Sequence, residues 1–168
     1  MSEVEGPTRS PMTRLLFVCL GNIIRSPLAE HLFLHLAHQA GVADRYEVDS
    51  AGTAGWHAGE GPDPRMRKTA KDQGVELGGT ARQIRMEDLD SSDLILAMDA
   101  SNRRDLVTLA RSPAQRGKVR LLREFDPLGG EADVPDPYYG EQDGFEQTYR
   151  IVERSVQGLL EALERGEV

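Results

Sequence analysis

The apolar positions of this chain fall into two rhythms. Short continuous runs mark strands covered on both faces. They are Leu15 to Val18, Tyr46 to Val48, Asp93 to Met98 and Val119 to Leu122. Spacings of three and four residues mark helices instead. Leu28, Leu32 and Leu36, with Ala29, Phe33 and Ala40, give one apolar stripe. That helix has Pro27 in its first turn and Gly41 at its end, where each residue is well tolerated. Asp63 to Gln73 reads as a second helix closed by Gly74, and Ser101 can cap a third running towards Ala110. Phe145, Tyr149, Val152, Val156, Leu159 and Leu163 predict a long amphipathic helix at the end. Strands alternating with helices imply right-handed β-α-β units. The expected fold class is therefore α/β, a three-layer sandwich around a central four-stranded parallel sheet. Ligands of such sheets bind beyond the carboxyl ends of the strands.

The segment after the first strand carries the candidate chemistry. Cys19 is the only cysteine, and it opens the run Cys19-Leu20-Gly21-Asn22-Ile23-Ile24-Arg25-Ser26 between strand and helix. The first N–H groups of a helix have no intrahelical acceptor and carry the positive end of its dipole. A loop curling over that end makes a nest for an anion. The same field stabilises a thiolate. Arg25 offers a planar fork that matches two phosphate oxygens. Ser26 can donate a hydrogen bond to the sulfur. Gly21 permits close backbone approach, and Asn22 tolerates a left-handed conformation. The arrangement suits a phosphate-handling nucleophile, against the commoner use of a lone cysteine as a buried structural residue.

The chain resembles the low-molecular-weight protein tyrosine phosphatases, whose phosphate loop reads C-x-G-N-x-x-R-S-P. Further matches are Asp49-Ser50-Ala51-Gly52-Thr53, Gly61-Pro62-Asp63-Pro64-Arg65, Ala81-Arg82-Gln83, Met98-Asp99 and Asp136-Pro137-Tyr138-Tyr139-Gly140. Together they span Thr13 to Leu163 in the family's order. The resemblance implies Cys19 as nucleophile, with Leu20 to Ile24 and Arg25 holding the phosphate. It implies Asn22, Ser50 and Asp99 as supports of the loop, with Asp99 contacting Arg25. A family histidine that often joins them would fall at Gly79.

A thiolate that attacks phosphorus must expel a phenolate, which calls for a general acid. Asp-Pro occurs three times, at Asp63, Asp126 and Asp136, and such pairs are also ordinary turn punctuation. Tyr138 and Tyr139 can wall a slot for an aromatic ring beside Asp136, and the resemblance favours Asp136 too. Asp126 is the main rival. The resemblance also gives Trp56 to a wall of the cleft, against the commoner use of tryptophan as a loop anchor. His31, His35 and His38 share a helix face at metal-ligand spacing, but no fourth ligand matches. A solvated polar face, with no metal and no cofactor, is the expectation.

Composition narrows the rest. A chain of 168 residues with net charge −8 and pI about 5.0 lacks the basic face of a nucleic-acid binder. One cysteine cannot form an internal disulfide, which suits a reducing cytoplasm. The apolar run Leu15 to Leu20 is too short for a signal core or a membrane span. Residues 1–12 read as a disordered leader and 13–168 as a single phosphatase domain. The resemblance implies a phosphotyrosine-bearing protein substrate, a tyrosine kinase among the candidates. The rim of Trp56, Tyr138 and Tyr139 is compatible with a monomer or with weak self-association.

Two alternatives to a tyrosine phosphatase share the fold. A protein-arginine phosphatase tends to carry threonine where Ile23 stands, and an arsenate reductase needs further cysteines. A third, a phosphate-binding module without turnover, has no use for Cys19 and Asp136. Many relatives carry a second loop cysteine at the position of Ile24, where it traps the oxidised nucleophile as a disulfide. Without it, peroxide should inactivate the protein with poor recovery under dithiothreitol, and Ile24→Cys should improve recovery. Full recovery of the wild type would contradict this.

Overall fold

Strand β1 (Thr13–Cys19) alternates its side chains between two separate cores. In this computed structural model, which describes residues 12–129 and 132–168, Leu15, Phe17 and Cys19 face one layer of helices while Leu16 and Val18 face the other. That two-sided burial is why β1 reads as an unbroken apolar run. Its neighbours are β2 (Tyr46–Gly52) on one side and β3 (Leu94–Ala97) on the other, with β4 (Val119–Leu121) beyond. All pairings are parallel, in the order β2-β1-β3-β4. The expected four-stranded parallel sheet is present. The register sets Cys19 level with Gly52, and Val18 level with Ala97. The chain leaves β1 towards β2 and later returns to the far side of β1 for β3. The carboxyl end of β1 is thus the switch point where such sheets open a crevice.

Helices α1 (Arg25–Gln39), α2 (Pro64–Asp72) and α6 (Gln142–Glu164) belong to one side, and α3 (Met86–Ser91) and α4 (Ala100–Leu109) to the other. A short helix α5 (Pro113–Arg116) precedes β4. The cap of α4 is Asp99, two residues before the expected Ser101: Asp99 Oδ1 accepts from the Asn102 amide at 2.7 Å. Both residue types cap well, but a carboxylate also meets the positive helix end. The leader expected over residues 1–12 lies outside the described residues apart from Met12. His31 departs from a solvated face, because its Nδ1 lies 2.8 Å from the Pro27 carbonyl and its Nε2 accepts from the Gly78 amide. Acceptance at Nε2 places the proton on Nδ1, so the ring acts as a strut between α1 and the segment before β3.

Gly158 shows how closely α6 is packed. A Cβ there would overlap the Phe125 carbonyl oxygen, a backbone atom of the 3-10 segment Leu122–Phe125. Glycine inside a helix costs about 1 kcal/mol relative to alanine, yet here only glycine fits. Gly158→Ala should therefore destabilise by about 1–3 kcal/mol as the helix is pushed away. Thermal unfolding should show a drop of roughly 2–4 °C per kcal/mol. An unchanged melting temperature would contradict the close approach.

Candidate active site

Beyond Cys19 the chain makes a tight loop to Ile24 and enters α1 at Arg25. No side chain caps that helix and no acidic residue stands in its first turn. Its positive end is left for something else. The loop's carbonyls are engaged from outside: Thr53, Ala54 and Asp63 donate their amides to the carbonyls of Cys19, Leu20 and Ile23 at 2.8–3.0 Å. Among the described residues, the amides of Gly21, Ile23, Ile24 and Arg25 have no protein acceptor, and that of Asn22 lies 3.3 Å from Cys19 Sγ. Carbonyls held outward and amides left over the helix end are what an anion nest requires.

Asn22 takes a φ of 58°, the left-handed region that asparagine visits more readily than most residues. Its side chain holds it there. Nδ2 donates to Ser26 Oγ at 2.7 Å and to Ser50 Oγ at 3.0 Å, while Oδ1 accepts from the Arg82 amide at 3.0 Å. Asn22 donates into Ser26 Oγ, whose own proton has two acceptors in reach, Cys19 Sγ at 3.0 Å and the Ala51 carbonyl at 3.5 Å. Of the two roles expected for Asn22, the structure shows support of the loop; Asn22 does not line the cleft, and its amide faces Cys19 Sγ. Its side chain lies behind the loop with Ser50.

Arg25 is 3% exposed. One terminal nitrogen donates to Asp99 Oδ2 at 2.8 Å and to the Val134 carbonyl at 3.0 Å; the other lies 3.5 Å from Asp136 Oδ2. Burial works against its charge, but Cys19, Asp99 and Asp136 outweigh that and hold its pKa above the ordinary value. Asp99 thus serves twice, fixing Arg25 with one oxygen and starting α4 with the other.

Asp136 comes from the segment between β4 and α6. Its Oδ1 accepts from the Tyr138 amide at 3.1 Å, an Asx turn that sets the carboxylate's direction. The side chain is 41% exposed at the mouth of a cleft of about 150 Å³. Cys19, Ile23, Ile24 and Arg25 line this cleft, as do Leu20 and Gly21, and Trp56, Tyr138 and Tyr139 form its rim. Trp56 is 73% exposed and Tyr139 97%, so neither anchors a loop by burial. Asp126 lies elsewhere. It is fully buried, takes Arg123 and Arg154 on its carboxylate, and receives the Leu128 amide. Asp63 caps α2 and holds Arg65. Among the described residues no group of three or more His, Cys, Asp or Glu is placed to hold a metal ion.

Two residues around the loop, His57 and Glu30, are absent from the expected site. His57 enters the cleft wall beside Trp56, with Nδ1 3.1 Å from Glu60 Oε1. A Cβ at Gly21 would sit 2.9 Å from His57 Cδ2, so the loop glycine makes room for this ring. Glu30, on α1, accepts from Ser50 Oγ at 2.6 Å and faces a cavity of about 130 Å³ behind the loop, beside Gly79. Gly79 has a φ of +78° and open space around it. Where the family histidine would fall, support of Ser50 comes instead from Glu30. A histidine after a lone tryptophan in a glycine-rich loop is the one available pointer to His57; nothing local marks Glu30. Arg65, which stands in the Gly61-to-Arg65 match, is held by Asp63 outside the cleft lining.

Burial pushes the Glu30 carboxyl above its ordinary range, with Asp49 adding to it; Ser50, His31 and Arg82 oppose the shift. A raised carboxyl pKa means that the folded protein binds this proton more tightly than the unfolded chain. Stability from Glu30 is present at acid pH and declines as pH rises from the ordinary carboxylate value through the raised one. Glu30→Gln keeps an acceptor for Ser50 and removes the charge. Its melting temperature should exceed the wild type's at pH 8 by a few degrees, ~2–4 °C, with the difference fading towards pH 4. A constant difference across that range would refute the titration.

A cysteine, an arginine and a carboxylate converging on an uncapped helix end at a parallel sheet's switch point define a phosphoryl-transfer type of site. Comparison with known proteins narrows this further. The profile of the low molecular weight phosphotyrosine protein phosphatases matches residues 14–168. A low molecular weight protein-tyrosine-phosphatase of Streptomyces coelicolor is 48% identical over 152 residues, covering 89% of this chain and 93% of its own. Among solved structures, a protein tyrosine phosphatase from Entamoeba histolytica superposes with a TM-score of 0.89 at 35% identity, covering 93% of this chain and 99% of that one. A drosophila arginine phosphatase superposes at 0.83 with 31% identity, over 89% and 97% of the two chains. The chain belongs to the low molecular weight phosphotyrosine protein phosphatase family.

Proposed function

We propose that this protein hydrolyses phosphotyrosine through a cysteinyl-phosphate. Cys19 attacks phosphorus in line with the ester oxygen; the S–P bond forms as the P–O bond to the phenol breaks. Arg25 and the loop amides hold the three remaining oxygens as charge spreads over them. Asp136 gives its proton to the departing phenolate, then takes one from the water that displaces Cys19. Ser26 holds the sulfur as it leaves. In this mechanism Arg25 and the loop amides are the groups that meet the developing charge, and no step calls on a metal. The observation that carries the reading is the convergence of Cys19, Arg25 and Asp136 on one aromatic-rimmed cleft. One domain over residues 13–168, acting in the cytoplasm on phosphotyrosine proteins including a tyrosine kinase, as a monomer or weak self-associate, completes it. No helix among the described residues is long and apolar enough to cross a membrane.

The rival on this fold is phosphoarginine. Ile23 lines the cleft floor and is buried. Its apolar side chain offers the N–H groups of a phosphoguanidinium no acceptor, whereas a phenyl ring needs none. Single-turnover release from a phosphotyrosine and a phosphoarginine peptide, without metal, tests the choice. Release from phosphotyrosine with a preference of at least ~10-fold supports it. Preference for phosphoarginine would overturn the substrate class and leave the mechanism standing.

A further inference from the structure

Asp63 and Arg65 stand in a sequence motif that takes no part in the two chemical steps. Asp63 is buried, and its amide donates to the carbonyl of Ile23 in the phosphate loop at 2.8 Å. Its carboxylate grips Arg65 with both oxygens: Nε donates to Oδ1 at 3.1 Å, and a terminal nitrogen to Oδ2 at 2.8 Å. So held, the guanidinium lies over the Tyr138 ring, 5.5 Å from its centroid, and over the Phe145 ring at 4.6 Å. Phe145 is fully buried at the start of α6. Tyr138, in turn, orients Asp136 through its amide.

These contacts form one chain from the phosphate loop to the carboxylate that faces it. We infer that Arg65 is a positioning residue for the general acid: clamped by Asp63 to the phosphate loop, it holds the Tyr138 ring and so fixes Asp136 at the right distance from the leaving oxygen. This rests on the phosphatase reading of the site. A cap for α2 alone would need only the Asp63 carboxylate and the Arg65 amide, which are joined at 2.8 Å without any use of the guanidinium. A planar cation can stack on a ring and fork onto a carboxylate at the same time, which lysine cannot do.

The general acid matters most when the leaving group is basic, and this supplies a readout that stability does not share. In Arg65→Met, kcat/KM for a phosphotyrosine peptide should fall about 10-fold, and for 4-nitrophenyl phosphate no more than about 2-fold. Arg65→Lys, which keeps the charge and loses the fork, should show the same selective loss. In an Asp136→Asn background, Arg65→Met should cost no further activity, because both changes act on one proton transfer. Melting curves of each variant run alongside. An equal loss on both substrates, no loss on either, or a full additional loss in the Asp136→Asn background would overturn the inference. If the wild type itself released no phosphate in a Cys19-dependent way, the phosphatase reading would have failed instead.

Discussion

Cys19→Ser should lower turnover of phosphotyrosine by about 10⁴-fold or more, to the level left by binding alone. The sulfur sits at the base of the cleft with Ser26 Oγ at 3.0 Å and the Asn22 amide at 3.3 Å. A serine oxygen in the same place is a far weaker nucleophile without a base beside it. Among the described residues, no histidine or lysine hydrogen-bonds Cys19 or Ser26, so an introduced alcohol has no activator. Phosphate affinity should survive, because Arg25 and the loop amides are untouched. Single-turnover kinetics and titration with inorganic phosphate read the two quantities separately. Residual turnover within about 10-fold of wild type would place the nucleophile elsewhere.

Asp136→Asn should slow phenyl phosphates by about 10²- to 10⁴-fold. The substitution is nearly isosteric, and an asparagine Oδ1 can still accept from the Tyr138 amide, so the segment keeps its turn. What disappears is a group that can give and take a proton, and with it the carboxylate that lies 3.5 Å from Arg25 when ionised. With that competitor for the guanidinium gone, the substrate dianion should bind no worse, and the loss should fall on kcat rather than on KM. Asp126→Asn supplies the contrast. It removes the buried charge that pairs with Arg123 and the half-exposed Arg154, so its effect should appear as a lower melting temperature with kcat preserved. Reversal of the two phenotypes would return the acid to Asp126.

The sheet was legible because β1 and β3 are buried on both faces and cannot hide their apolar runs. The phosphate loop was legible because its residues are consecutive: one strand, one turn and one helix start deliver Cys19, Arg25 and Ser26 together. Helices α3 and α5 were not, since six and four residues are too few to display a period. The cap of α4 falls at Asp99 rather than Ser101, and the other oxygen of the same carboxylate takes Arg25, a contact that only the family resemblance pointed to. Three Asp-Pro pairs look alike by spacing, and Tyr138 and Tyr139 with the family resemblance favoured Asp136; in the fold their partners are arginines for Asp126, a helix start for Asp63 and the cleft for Asp136. Glu30 and His57 escaped notice because each meets its functional neighbours only through the fold; Arg65 stood in a matched motif, but its contacts with Tyr138 and Phe145 do not show there.

The outward carbonyls of the phosphate loop carry a consequence for how speed and folding are linked here. Cys19, Leu20 and Ile23 are tethered by amides of Thr53, Ala54 and Asp63, which belong to the end of β2 and the segment leading into α2. The dipoles that meet the transition state are therefore oriented before any substrate arrives, and little reorganisation remains for the reacting moment. Rate then depends on the rigidity of a stretch that never touches the substrate. A loosening of residues 53–63 far too small to unfold the protein would let those dipoles wander, and the enzyme would slow while still fully folded.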